Sequence, residues 1–252
     1  MGNHLLSTTF YPHSKANILR QLIPEASHPI SRIEYIEYRM MIGKIADAKE
    51  TPYLICDTPG ISGDDEAELN LQMEAIKAAI MGTFKSGDMI NYKNLTMENL
   101  GKMKPTREMA ACVIFVIDST RTKIKHTTEE INKLPTREVE NTLAFEKMKS
   151  ILRFVQQNDI KTACLLTKCD RLDGDVGKKL RNMYYSRQVE LARCAVESSF
   201  NGFPNDRIFP IVNYTRSLEA TQEMMVQSLF AMKYILDDIQ SNLARRVDAP
   251  TN

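Results

Sequence analysis

Four short apolar runs, each stopping abruptly at a polar loop and separated by stretches with helical periodicity, constrain this chain more than any other feature. Tyr53-Leu54-Ile55-Cys56 ends in Asp57-Thr58-Pro59-Gly60, and Ala111-Cys112-Val113-Ile114-Phe115-Val116-Ile117 ends in Asp118-Ser119-Thr120. Thr162-Ala163-Cys164-Leu165-Leu166 ends in Thr167-Lys168-Cys169-Asp170, and Arg207 to Val212 ends in Asn213-Tyr214. Continuous apolar runs of this length read as strands buried on both faces, which is the habit of a parallel sheet covered by helices. The fold class is therefore α/β, three-layered and mostly parallel, with polar groups delivered from the C-terminal strand ends, where open α/β sheets bind ligands.

Upstream, Ile36, Tyr38, Met40 and Ile42 alternate with Glu37, Arg39 and Met41, the pattern of an edge strand with one solvated face. Helices are predicted over 65–81, 142–158, 175–199 and 217–243, the third opening with Asp173 and Asp175 as caps. Residues 82–106 carry Gly82, Gly87, Gly101 and Pro105 and read as an irregular insertion. The predicted division is a degenerate or replaced segment over 1–31, an α/β core over 32–243 with that insertion, and a flexible tail over 244–252. In the last helix Met225, Leu229, Met232, Leu236, Ile239 and Leu243 recur at steps of four and three. That stripe suits either docking on the sheet or a seam for self-association.

The chain has 252 residues, 33 Lys and Arg against 32 Asp and Glu, and a net charge of +1. No broad electrostatic pull toward nucleic acid or an anionic membrane follows, so nucleic acid is not an expected partner. The longest apolar run, 109–117, falls far short of the roughly 20 residues that cross a bilayer. Five widely spaced cysteines without a C-x-x-C pair read as reduced, mostly buried thiols of a cytoplasmic protein. His4, His13, His28 and His126 show no metal-ligand spacing.

Two of the strand ends carry chemistry. Asp57 stands where a nucleotide-binding α/β protein places a carboxylate for magnesium, held mostly through water, and Gly60 is a residue whose N–H can approach a terminal phosphate closely. The same Thr-Pro-Gly is also an ordinary turn sequence. Thr167-Lys168-Cys169-Asp170 has the form Asn/Thr-Lys-x-Asp. The Asp170 carboxylate can accept two hydrogen bonds from the ring N–H and exocyclic amine of guanine, a donor pair that adenine lacks. Lys168 can lay its aliphatic stem over the base, its charge near the ribose and phosphates. Asn213 lies where a last loop would meet the base, and Asp118 is either a supporting residue or the cap of a turn.

With these motifs in order, the chain over about 36–243 resembles the P-loop GTPase superfamily and, within it, the interferon-induced protein 44 family. The similarity rests on Asp57 to Gly60, the 80–88 segment, the 112–118 strand, Leu165 to Asp170, and the 211–214 strand with its long terminal helix. The resemblance implies a GTPase-like protein that binds GTP or GDP with magnesium through Asp57, Gly60, Thr167, Lys168, Asp170 and Asn213. It further implies a cytoplasmic role in interferon-driven, antiviral immune responses. One departure stands out: no Gly-x-x-x-x-Gly-Lys-Ser/Thr occurs, and the corresponding place near residues 2–9 has Ser7 and Thr8 with no preceding lysine. Gly174 to Lys179 and Gly43-Lys44 lack the required spacing. The phosphate loop and its strand are thus expected to be missing or degenerate, in a chain that has lost them or begins after them. Ile61 also replaces the Gln that orients water in small GTPases, so turnover is expected to be slow or absent. The alternative expectation is a nucleotide-free relative that binds proteins.

Overall fold

A computed structural model describes residues 33–34, 36–42, 49–58, 60–61, 63–85, 89–90, 95–106, 108–125, 136–200, 203–212 and 221–248. The chain divides into two compact units, 1–110 and 111–252.

In the first unit, β1 (Ile33–Glu34) pairs with β4 (Met89–Ile90) and β2 (Ile36–Ile42) with β3 (Lys49–Asp57), both antiparallel. The predicted alternating strand is present. The Tyr53–Cys56 run corrects one expectation, because the pairing seen for β3 among the described residues is antiparallel rather than parallel. Arg39 faces Leu54 whereas Met41 faces Glu50, so β3 carries extra residues at an irregularity that shifts the register.

Helix α1 (Glu66–Ile80) starts where Asp65 Oδ1 accepts the Glu68 N–H at 2.7 Å. It ends on Gly82 at φ +79°, with Thr83 N–H donating to Ala78 O and Gly82 N–H to Ala79 O, a left-handed cap that glycine adopts without a Cβ clash. The described residues within 82–106 include regular elements that the sequence does not announce. They contain β4 and a short helix α2 (Met97–Lys102), capped by Thr96, whose Leu100 packs with Ala75, Ala79 and Phe84. Thr106 closes the segment by donating from its N–H to Gly82 O at 3.0 Å.

The second unit is built on β5 (Cys112–Asp118), β8 (Lys161–Thr167) and β9 (Ile208–Pro210), a parallel sheet with β8 in the centre. This confirms the α/β class and three of the four predicted strands. β6 (Thr122–Lys125) and β7 (Thr136–Val139) form an antiparallel pair that the charged Thr-Arg-Glu-Val sequence does not announce. α3 (Leu143–Gln157) is capped by Thr142. Its Phe145 joins Phe200 of α5 (Arg187–Phe200), Phe203 and Phe115 in an aromatic core with neighbouring centroids 4.5–5.3 Å apart. α6 (Gln222–Asp248) covers the opposite face, where Tyr234 meets Phe209. Val116, on that second face of β5, is 40% exposed, so β5 is not buried on both sides as expected.

Two helices differ from the sequence reading. The helix expected over 175–199 is split into α4 (Gly174–Lys178), a 3₁₀ turn over Leu180–Tyr184, and α5. The break follows from capping. Asp173 accepts the Asp175 N–H at 2.9 Å to start α4, and Ser186 accepts the Val189 N–H at 3.3 Å to start α5. Ser186 also donates to Asp173 Oδ2 at 2.6 Å, tying the two starts together. The last helix runs through Asp248, so 244–248 continue it instead of forming a tail. Ala244, Arg245 and Arg246 are good helix formers.

Candidate functional site

The parallel register places Asp118 directly beside Thr167 at the C-terminal ends of β5 and β8. Thr167 is buried, and its hydroxyl donates to Ile117 O at 3.3 Å, so this side chain ties the two strands together. The next residue, Lys168, takes a left-handed conformation at φ +59° and ψ +31°. For a residue with a long side chain this is a strained backbone, costing about 1–2 kcal/mol. The turn directs the Lys168 ammonium back to Asp118 Oδ2, where the two form a short ion pair.

Asp118 is fixed from its other oxygen as well. Oδ1 accepts from Thr120 N–H at 2.9 Å and from Thr120 Oγ1 at 2.6 Å, capping the 3₁₀ turn Ser119–Arg121. Burial pushes its carboxyl pKa up, but the hydrogen bonds from Lys168 and Thr120 outweigh burial and hold it below the ordinary value. Asp118 thus caps the turn, one of the two roles that the sequence left open, and also pairs with Lys168. Its pairing with Lys168 is the feature the sequence did not reveal, since it joins residues fifty positions apart through sheet register alone.

Cys169 is buried behind the turn, its thiol donating to Leu166 O at 3.2 Å. Burial pushes that thiol up to about 12, which makes it an inert packing group. Asp170 follows in the 3₁₀ turn Cys169–Arg171, half-buried, and its carboxylate has no hydrogen bond or ion pair to the described residues. Thr167, Lys168 and Asp170 are therefore gathered with Asp118 at one sheet end. Of the predicted base-contacting residues, Asn213 lies outside the described residues, as do all four histidines.

In the first unit, Asp57 ends β3 and is half-buried. Burial raises its carboxyl to about 6, only partly offset by the hydrogen bond from the Thr58 backbone. Gly60 is exposed, its φ is not in the left-handed region, and a Cβ placed on it would meet nothing within 4 Å. Among the described residues no close approach demands glycine there. Among the described residues no group of three or more His, Cys, Asp or Glu side chains could hold a metal. A single hard carboxylate such as Asp57 fits magnesium only if water and ligand oxygens complete the shell.

A cavity of about 270 Å³ lies at the other end of the sheet, on the α6 face, lined by Cys112, Thr162, Arg207, Phe209, Tyr234 and Asp238 among others. It contains none of the predicted site residues. No disulfide links the five cysteines, and Cys56 and Cys194 are exposed rather than buried as expected. No helix among the described residues is long and apolar enough to cross a membrane. Comparison with protein families, with curated proteins and with solved structures gives no match.

Proposed function

We propose that this chain is a guanine-nucleotide-binding protein of the P-loop GTPase type, with slow or absent hydrolysis. The observation that carries the reading is Asp170. It is a half-buried carboxylate without a partner among the described residues, held on a 3₁₀ turn straight after the central strand of a parallel sheet. A carboxylate left in that position is suited to the paired N–H donors of guanine. The left-handed Lys168 supports the same reading, because strained non-glycine backbone tends to persist where a ligand is gripped. Thr167 contributes through its place in the turn, since its hydroxyl is already bonded to β5.

Magnesium, when bound with the nucleotide, would supply charge compensation for the phosphates. On the motif reading Asp57 is the residue that would hold it, and burial raises its carboxyl to about 6. The open surroundings of Gly60 leave room for a phosphate oxygen against its N–H. Asn213, outside the described residues, is assigned a base contact from its place in the sequence alone. The interferon-linked, cytoplasmic part of the proposal rests on the family resemblance of the motifs.

A second reading, a nucleotide-free relative that works by binding proteins, is favoured by one observation: the sequence contains no Gly-x-x-x-x-Gly-Lys-Ser/Thr to take the phosphates. The two are separated at Asp170. Competition binding with fluorescent GDP should show a preference for guanine over adenine nucleotides that Asp170→Ala removes. An unchanged preference in the variant would rule out the base assignment.

A further inference from the structure

The long helix α6 uses a different stripe from the one its sequence suggests. Gln227, Ala231, Met232 and Ile235 are buried, whereas Val226, Leu229, Phe230 and Tyr234 are 47–59% exposed. Val226, Phe230 and Tyr234 follow one another at steps of four, so they form an apolar ridge about 12 Å long on the outer side of the helix. Apolar side chains so exposed and so aligned mark a binding surface more often than chance exposure does. The ridge continues into the cavity. Phe230 stacks on Tyr234 with centroids 4.7 Å apart, and Tyr234 reaches Phe209 at 6.1 Å inside the cavity wall.

Charge selects the occupant. Among its described lining residues the cavity has the carboxylates Asp206, Asp237 and Asp238; Arg207 compensates Asp238 at 2.7 Å, which leaves Asp206 without a cation among the described residues. Lys233 is likewise committed to Asp237. Glu223, one turn before Val226 on the same outer side, adds a further negative charge at the other end of the ridge. A second copy of the chain fits poorly. An antiparallel pair of α6 helices centred on Phe230 would set Glu223 against Asp237 of the other copy, and a parallel pair would set each charge against itself.

We propose that the outer face of α6 docks an amphipathic helix of a partner protein. That helix has apolar residues at three- and four-residue spacing and Lys or Arg along its flank, one long basic side chain entering the cavity beside Tyr234. The mode is a helix laid on an apolar ridge, with affinity from the Phe230 and Tyr234 rings and preference from the acidic rim.

The test uses the full chain and two synthetic helical peptides of about three heptads, identical in their leucine seam and flanked either by Lys or by Glu. Fluorescence anisotropy should show the Lys-flanked peptide binding at least about tenfold more tightly than the Glu-flanked one. Phe230→Ser and Tyr234→Ser should each weaken it at least about tenfold with an unchanged circular dichroism spectrum, and Asp206→Asn with Glu223→Gln should erase the preference between peptides. Equal binding of the two peptides, no binding of either, or binding indifferent to Phe230 and Tyr234 would overturn the proposal. So would concentration-dependent dimerisation in sedimentation that Phe230→Ser abolishes, which would make a second copy the occupant.

Discussion

The Lys168 ammonium closes onto the Asp118 carboxylate across the ends of two neighbouring parallel strands, and Asp118 is itself held by Thr120. Both side chains are mostly shielded from water, so the pair is worth more than a solvated ion pair. Asp118→Asn should destabilise the protein by about 1 kcal/mol in urea unfolding. A double-mutant cycle with Lys168→Met should return a coupling of similar size. The sign with pH follows from the lowered Asp118 pKa. The stability it contributes is fully present above the unfolded value near 3.9 and is lost as pH falls through the lower folded value. The acid limb of the wild-type stability curve should therefore be steeper than that of Asp118→Asn, and superimposable limbs would dissolve the pair.

Asp57 has the opposite sign. Its folded pKa of about 6 exceeds the unfolded value, so between about 4 and 6 the folded state holds the extra proton and stability falls as pH rises. Asp57→Asn should stabilise the nucleotide-free protein by about 1–2 kcal/mol at pH 7 and flatten the curve across that window. Addition of magnesium with GDP should lower the pKa of the wild-type carboxylate. A variant less stable than wild type at pH 7 would mean that the carboxylate already has a favourable partner.

Much of this architecture is legible in the sequence because its signals are local. The apolar runs at 112–118 and 161–167 became the paired strands of the parallel sheet, and Asp65, Thr142 and Asp173 cap helices close to where their side-chain chemistry predicts. What was not legible depends on register and packing. Nothing local says that Asp118 meets Lys168, that Thr167 turns its hydroxyl back to Ile117, or that β3 pairs antiparallel. The covered face of α6 is hidden for the same reason: both faces of that helix carry large apolar residues, and only docking on the sheet decides which is covered.

Ser186 shows how a single polar side chain can divide a predicted helix. It is buried, caps α5 and bonds Asp173. Ser186→Ala should cost about 1–2 kcal/mol, read by thermal unfolding, whereas Ser186→Thr should retain most of the stability. Equal stability of the alanine variant would show that the cap contributes nothing.

The aromatic core carries the second unit. Phe203 is 2% exposed, with ring centroids 5.1 Å from Phe115 and 5.3 Å from Phe200. Phe203→Ala should lower stability by about 3–5 kcal/mol, while Phe203→Leu should recover a large part of the loss. A cost under about 1 kcal/mol in chemical denaturation would mean that this cluster is not the core of the unit.

The central claim is that a carboxylate on the Cys169–Arg171 turn reads guanine. Isothermal titration of the 252-residue chain with GDP and with a non-hydrolysable GTP analogue, both with magnesium, tests it directly against the ATP analogue. The account predicts saturable binding of the guanine nucleotides at micromolar concentration and none of the adenine nucleotide, with Asp170→Ala losing the difference. A folded sample that gives no heat with any of the three, or equal heat with all, would contradict it.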